Sequence, residues 1–149
     1  MITNMMDCVY EVALHEEASD IVYLDEQSIH NRDQMKTSVF NVHDTQITYY
    51  IGRTAAENTK LIKLSSPDDL WFHLKHHPSC HVICRLTGYR IKNKKMLRKI
   101  VKYGAVLCKS HSKQRNQKNI EVLYAHIRHV SPGKYDGEAF ACVSKEVTI

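Results

Sequence analysis

Residues 68–86 read DDLWFHLKHHPSCHVICRL, and the order of apolar and polar positions in this stretch decides the fold. Two apolar runs, 70–74 (LWFHL) and 80–86 (CHVICRL), flank His76-His77-Pro78-Ser79. Each run is too short for a helix, is rich in aromatic or β-branched residues, and is broken from the other by proline. They are expected to be two strands of a hairpin. Upstream, 46–53 (QITYYIGR) has strand composition and ends at a glycine. Residues 55–64 read as a helical turn or irregular bridge, closed by the turn 65–69 (SSPDD).

Downstream, 94–112 is the one long helical pattern. Leu97, Ile100, Val101, Gly104, Leu107, Cys108 and His111 recur at the spacing of a single buried face. The opposite face then carries Lys95, Arg98, Lys99, Lys102, Lys109 and Lys113, a cationic stripe whose apolar back packs on a sheet. Residues 112–119 (SKQRNQKN) form a polar loop, and 120–127 and 139–149 read as strands around Pro132-Gly133 and Asp136-Gly137. The pattern predicts an α+β fold, an antiparallel or mixed β-sheet packed against one main amphipathic basic helix. Two segments follow: an acidic N-terminal extension, 1–45, read as an accessory hairpin or arm on the domain, and the domain itself, 46–149.

Charge is unevenly distributed along the chain. The total is +5, but residues 1–69 carry 12 acids and 5 bases, residues 70–120 carry 13 bases and no acid, and residues 121–149 carry 4 acids and 3 bases. A solvated surface normally mixes both signs. A one-sign block of this length points to a polyanionic partner, and nucleic acid is the commonest. With 43% hydrophobic and 25% charged residues the composition is that of a folded chain. No stretch approaches the roughly 20 apolar residues that span a bilayer, and the first residues lack a basic start and apolar run. A cytoplasmic protein without a membrane partner is expected, and five cysteines, an odd number without a scaffold pattern, read as reduced thiols.

Tyr50-Ile51-Gly52-Arg53 with Glu57-Asn58, then Asp68-Asp69-Leu70-Trp71-Phe72-His73, Pro78, His81-Val82-Ile83, Ser112-Lys113-Gln114-Arg115-Asn116, and Val122 with Tyr124 form an ordered series. Over residues 46–149 it resembles the NFACT-R domain, the RNA-binding module of ribosome-quality-control proteins that engage tRNA on stalled large ribosomal subunits. The resemblance implies that Arg53, Asn58, Trp71, His73, Lys75, His81, Arg85, Lys113 and Arg115 line or support the binding surface. His76 stands where the family usually has an acid, and Ser79-Cys80 where it has Gly-Ser. The family's N-terminal domains and coiled-coil segments have no counterpart in these 149 residues.

The function expected is a non-catalytic nucleic-acid-binding module for structured RNA, tRNA or rRNA, with no cofactor and no metal. The expected RNA contacts are Arg53, Asn58, His73, Lys75, His81, Arg85, Lys95, Arg98, Lys99, Lys102, Lys109, Lys113, Arg115 and Lys118. Lysines act as point charges on phosphate, whereas the arginine fork binds it in bidentate fashion. Five histidines in the basic segment would tighten binding on acidification. Four other readings are open. His73, His76, His77, Cys80, His81 and Cys84 have zinc-ligand types, but alternate strand residues point to opposite faces. Asp68 and Asp69 beside His73 could serve a metal-dependent nuclease or RNA-modifying enzyme, against a role in capping the turn before Trp71. A protein-interaction subunit or a DNA-binding protein also fits the charge pattern.

Overall fold

The computed structural model describes residues 35–149. β1 (Lys36–Val42) and β2 (Thr45–Ile51) form a hairpin. His43 and Asp44 turn it with φ of 48° and 61°, the left-handed pair of a tight two-residue loop. β1 is thus the edge strand of the main sheet, formed from residues of the 1–45 segment; residues 1–34 lie outside the described residues.

Residues 55–64 are a full helix, α1 (Ala55–Leu64), rather than the turn or bridge expected. The signal was present in Thr54-x-x-Glu57. The Thr54 hydroxyl accepts from the Glu57 amide at 3.1 Å, and the Glu57 carboxylate accepts from the Arg53 amide at 2.8 Å, so two orphan donors at the helix start are satisfied.

β3 (Leu70–Leu74) and β4 (Val82–Cys84) pair antiparallel, as the hairpin reading required. α2 (Lys94–Ser110) follows, capped by the Asn93 side chain on the Met96 amide, and then β5 (Glu121–His126), β6 (Val130–Pro132), β7 (Ala139–Ala141) and β8 (Lys145–Thr148). The stretch read as one strand, 139–149, splits. β7 pairs with β6 in a two-stranded ribbon, while β8 joins β5. The main sheet runs β1-β2-β4-β3-β5-β8, antiparallel throughout.

Both faces of this sheet are covered. Ile47, Tyr49, Ile51, Leu70, Phe72, Leu74, Val82 and Val122 pack against Met96, Ile100, Val101, Ala105 and Cys108 of α2. Tyr50, Trp71 and Ile83 pack on the other face with Leu61, Ile62 and Leu64 of α1. Strand alternation sends Phe72 to α2 and Trp71 to α1. The buried face of α2 includes Met96 and Ala105, which the periodicity did not name; Leu97 and Leu107 are half-buried and His111 is exposed. Gly104 sits where α2 crosses Phe72, and a Cβ there would lie 2.4 Å from the ring. A mid-helix glycine costs about 1 kcal/mol in propensity, and the close helix-to-sheet approach is what it permits.

Candidate nucleic-acid interface

The α1 face carries the Trp-His block. Trp71 donates its indole N–H to His81 Nδ1 at 3.2 Å. The His73 ring stacks on Trp71 at 5.8 Å and meets His81 edge to face at 5.0 Å. His81 is 1% exposed, and its amide donates to the Asn58 side-chain oxygen at 3.1 Å. Asn58 is itself buried, and Gly52 leaves room for it, since a Cβ on Gly52 would fall 1.9 Å from Asn58 Oδ1. Asn58 and His81, both expected as RNA contacts, are therefore buried, and the Asn58 side chain holds the His81 backbone.

Burial pushes the His81 imidazole down to about 3, helped by the His73 ring beside it, against a backbone hydrogen bond with Gly137. Burial also lowers His73, opposed by its hydrogen bond with the Leu74 carbonyl. Of the five histidines expected to gain charge on acidification, His81 stays neutral near pH 6 and His73 is shifted in the same direction, because desolvation disfavours the cation. His76 and His111 are exposed and His77 is half-buried.

The β6–β7 ribbon closes over this cluster, and sequence reading did not place it there. Gly137, Glu138, Ala139 and Phe140 wall a pocket of about 220 Å³ with Trp71, His73 and His81. The Gly137 amide donates to Thr59 of α1 at 2.9 Å, which seats the ribbon on the helix. Phe140 is 63% exposed. Arg53, at the start of α1, is exposed and grips Glu57 through Nε and a terminal nitrogen at 3.2 and 3.1 Å. The two turn pairs at Pro132-Gly133 and Asp136-Gly137 were the legible sign of a hairpin here.

The α2 stripe lies on the other side of the sheet. Lys94, Lys95, Arg98, Lys99 and Lys102 are exposed, and none has an ion-pair partner among the described residues. At about 1.5 Å per residue the stripe from Lys95 to Lys109 is about 21 Å long. Lys109 is half-buried and donates to the Ile149 carbonyl at 3.3 Å. Lys113, Arg115 and Lys118 extend the positive surface along the loop after α2, all exposed, with Arg115 reaching the Ser112 carbonyl at 3.4 Å. Arg85 is exposed just beyond β4.

Lys75 is held by acids from outside the basic segment, at 2.8 Å from Glu146 and 3.7 Å from Glu121. Twelve of the fourteen sequence-named residues thus fall into two groups, eight on α2 and its following loop on one face and Arg53, Asn58, His73 and His81 on the other, while Lys75 and Arg85 stand just past the ends of β3 and β4. The sheet lies between the two groups, which one-dimensional spacing did not reveal.

Asp69 is 1% exposed. One carboxylate oxygen accepts from the Ser66 amide at 2.9 Å; the other accepts from the Leu86 and Thr87 amides at 2.8 and 3.1 Å and the Thr87 hydroxyl at 3.0 Å. It ties the turn before β3 to the end of β4. Asp68 pairs with Arg128. No group of three or more His, Cys, Asp or Glu that could hold a metal occurs among the described residues.

Residues 35–142 match the NFACT protein RNA binding domain family. Coiled-coil domain-containing protein 25 of Bos taurus and of Mus musculus are each 34% identical over 86 residues, covering 56% of this chain and 40% of theirs. The chain thus spans well under half the length of these curated relatives. The C-terminal part of the fibronectin/fibrinogen-binding protein from Streptococcus suis has the same fold, with a TM-score of 0.62 at 20% identity over 78% of this chain and 45% of that one. The family match, which spans β1 through the β6–β7 ribbon on which the two faces are built, establishes that this chain is a member of the NFACT RNA-binding domain family and, as such, a nucleic-acid-binding module.

Proposed function

We propose that the protein binds structured RNA, tRNA or rRNA, without catalysing a reaction on it, in a cytoplasmic translation or ribosome-quality-control setting. The observation that carries this reading is the outward face of α2, where five cations stand in solvent with no acid partner among the described residues. Folded RNA is recognised through shape, phosphates and 2′-hydroxyls, and a straight cationic helix supplies phosphate contacts without reading sequence. The commitment of both Asp69 oxygens to internal donors supports a structural role for that carboxylate over a nuclease role.

Filter binding of tRNA, an rRNA fragment and DNA of equal length across a salt series tests the proposal. About five neutralised phosphates give a log–log salt slope of about −3.5 to −4.5. RNA should outcompete DNA. A slope near zero, or equal competition by DNA, would overturn the reading.

A further inference from the structure

Between the first half of α2 and strand β8 lies a cleft of about 680 Å³, a size that accommodates small ligands. Its walls carry Lys94, Arg98 and Lys102 from the helix and Lys145 from the strand. Leu97, Val101, Tyr124 and Val147 supply its apolar surface. Lys145 pairs directly with Tyr124 across the sheet, so both side chains share the α2 face. The carboxylate at the rim, Glu146, is paired with Leu123 in the register and turns the other way, where both its oxygens are held by Lys75 at 2.8 Å. The cleft therefore gathers four cationic side chains, and the one side-chain carboxylate on its lining is engaged elsewhere. The Tyr124 ring is half-buried and stacks on Phe72 at 6.1 Å, which holds it in place.

Cations on two walls above an aromatic and aliphatic floor match a ligand that is anionic at one end and flat and apolar-faced at the other. We infer that the α2–β8 cleft holds one unpaired nucleotide of the bound RNA, its phosphate among Lys94, Arg98, Lys102 and Lys145 and its base against Tyr124 and Val147. This rests on the RNA reading above and adds to it a preference for an unpaired end or bulge over a continuous stem. Lysines outside the cleft supply charge that does not discriminate; the cleft supplies the discrimination, because only an unstacked base can enter it.

The test uses the full chain and two RNAs with equal numbers of phosphates, a blunt stem and a stem ending in unpaired 3′ nucleotides. Stacking of one base on an aromatic ring changes affinity by roughly five- to 150-fold, so the overhang RNA should bind at least about fivefold tighter. A 2-aminopurine in the overhang should lose fluorescence on binding. Lys145→Glu, an exposed position, should bring the affinity ratio towards one and restore the fluorescence, whereas Lys118→Glu, in the loop beyond α2, should weaken both RNAs alike and leave the ratio intact. Steeply salt-dependent binding with equal affinity for both RNAs would overturn the nucleotide cleft while leaving the RNA reading standing. Absence of salt-dependent RNA binding would overturn the RNA reading itself. Binding to phosphatidylserine vesicles that Lys145→Glu abolishes, with no preference between the RNAs, would assign the cleft to lipid and overturn the inference.

Discussion

Replacing His81 with asparagine should flatten the acid side of the protein's stability curve. His81 is 1% exposed and its folded-state value lies at about 3, against about 6.5 in an unfolded chain. The unfolded state therefore binds more protons between these limits, and stability falls as pH drops below about 6.5 until the folded group titrates near 3. From pH 7 to pH 5 the loss attributable to this one imidazole is about 2 kcal/mol, or about 8 °C in Tm for a domain of this size. Asparagine keeps an acceptor at the position of Nδ1, so the Trp71 indole N–H retains a partner, while the titrating group is gone. Urea unfolding at pH 7.0 and pH 5.0 measures both proteins. His81→Asn should lose about 2 kcal/mol less than the parent over that step. His73, also lowered by burial, leaves a residual slope of the same sign in both. Equal pH dependence in parent and variant would refute the assignment of a neutral, buried His81.

Replacing Lys95, Lys99 and Lys102 together with glutamine should make the salt slope shallower by about 2 to 3 and leave Tm unchanged or slightly raised, since these lysines repel one another along the helix; a salt titration of tRNA binding checks it. Asp69→Ala should destabilise by about 3 kcal/mol or more, because it strips partners from the buried Ser66 and Leu86 amides; a denaturant melt measures it. Gly104→Ala should destabilise by roughly 1–3 kcal/mol through collision with Phe72, despite the gain in helix propensity, and calorimetry reads the net sign. RNA binding at pH 7.5 and at pH 6 should keep the same ratio in His81→Asn as in the parent, because the buried imidazole is neutral at both, and filter binding at the two pH values will show it.

The amino-acid order alone determined a good deal. The apolar runs at 70–74 and 80–86 gave a hairpin, the 3.6-residue period gave α2, and the absence of acids in 70–120 set the expectation of a polyanionic partner. These are local properties, since periodicity and turn residues act within one or two turns of chain. α1 is faint in the sequence because its own apolar face is weak, and its start is marked only by the Thr54–Glu57 capping box. The β1–β2 turn carries no strong sequence signal, because His43-Asp44 is not one of the usual glycine-containing pairs.

What only the tertiary structure decided is which cations stand together. Strand alternation sends neighbouring residues of β3 to opposite faces, so Arg53, His73 and His81 end up across the sheet from the α2 lysines, however close in sequence. Lys145, far along the chain, comes beside Arg98 and Lys102 because β8 pairs with β5 under the same helix. Burial, which is set by long-range packing and not by residue type, places His81 and Asn58 inside the fold.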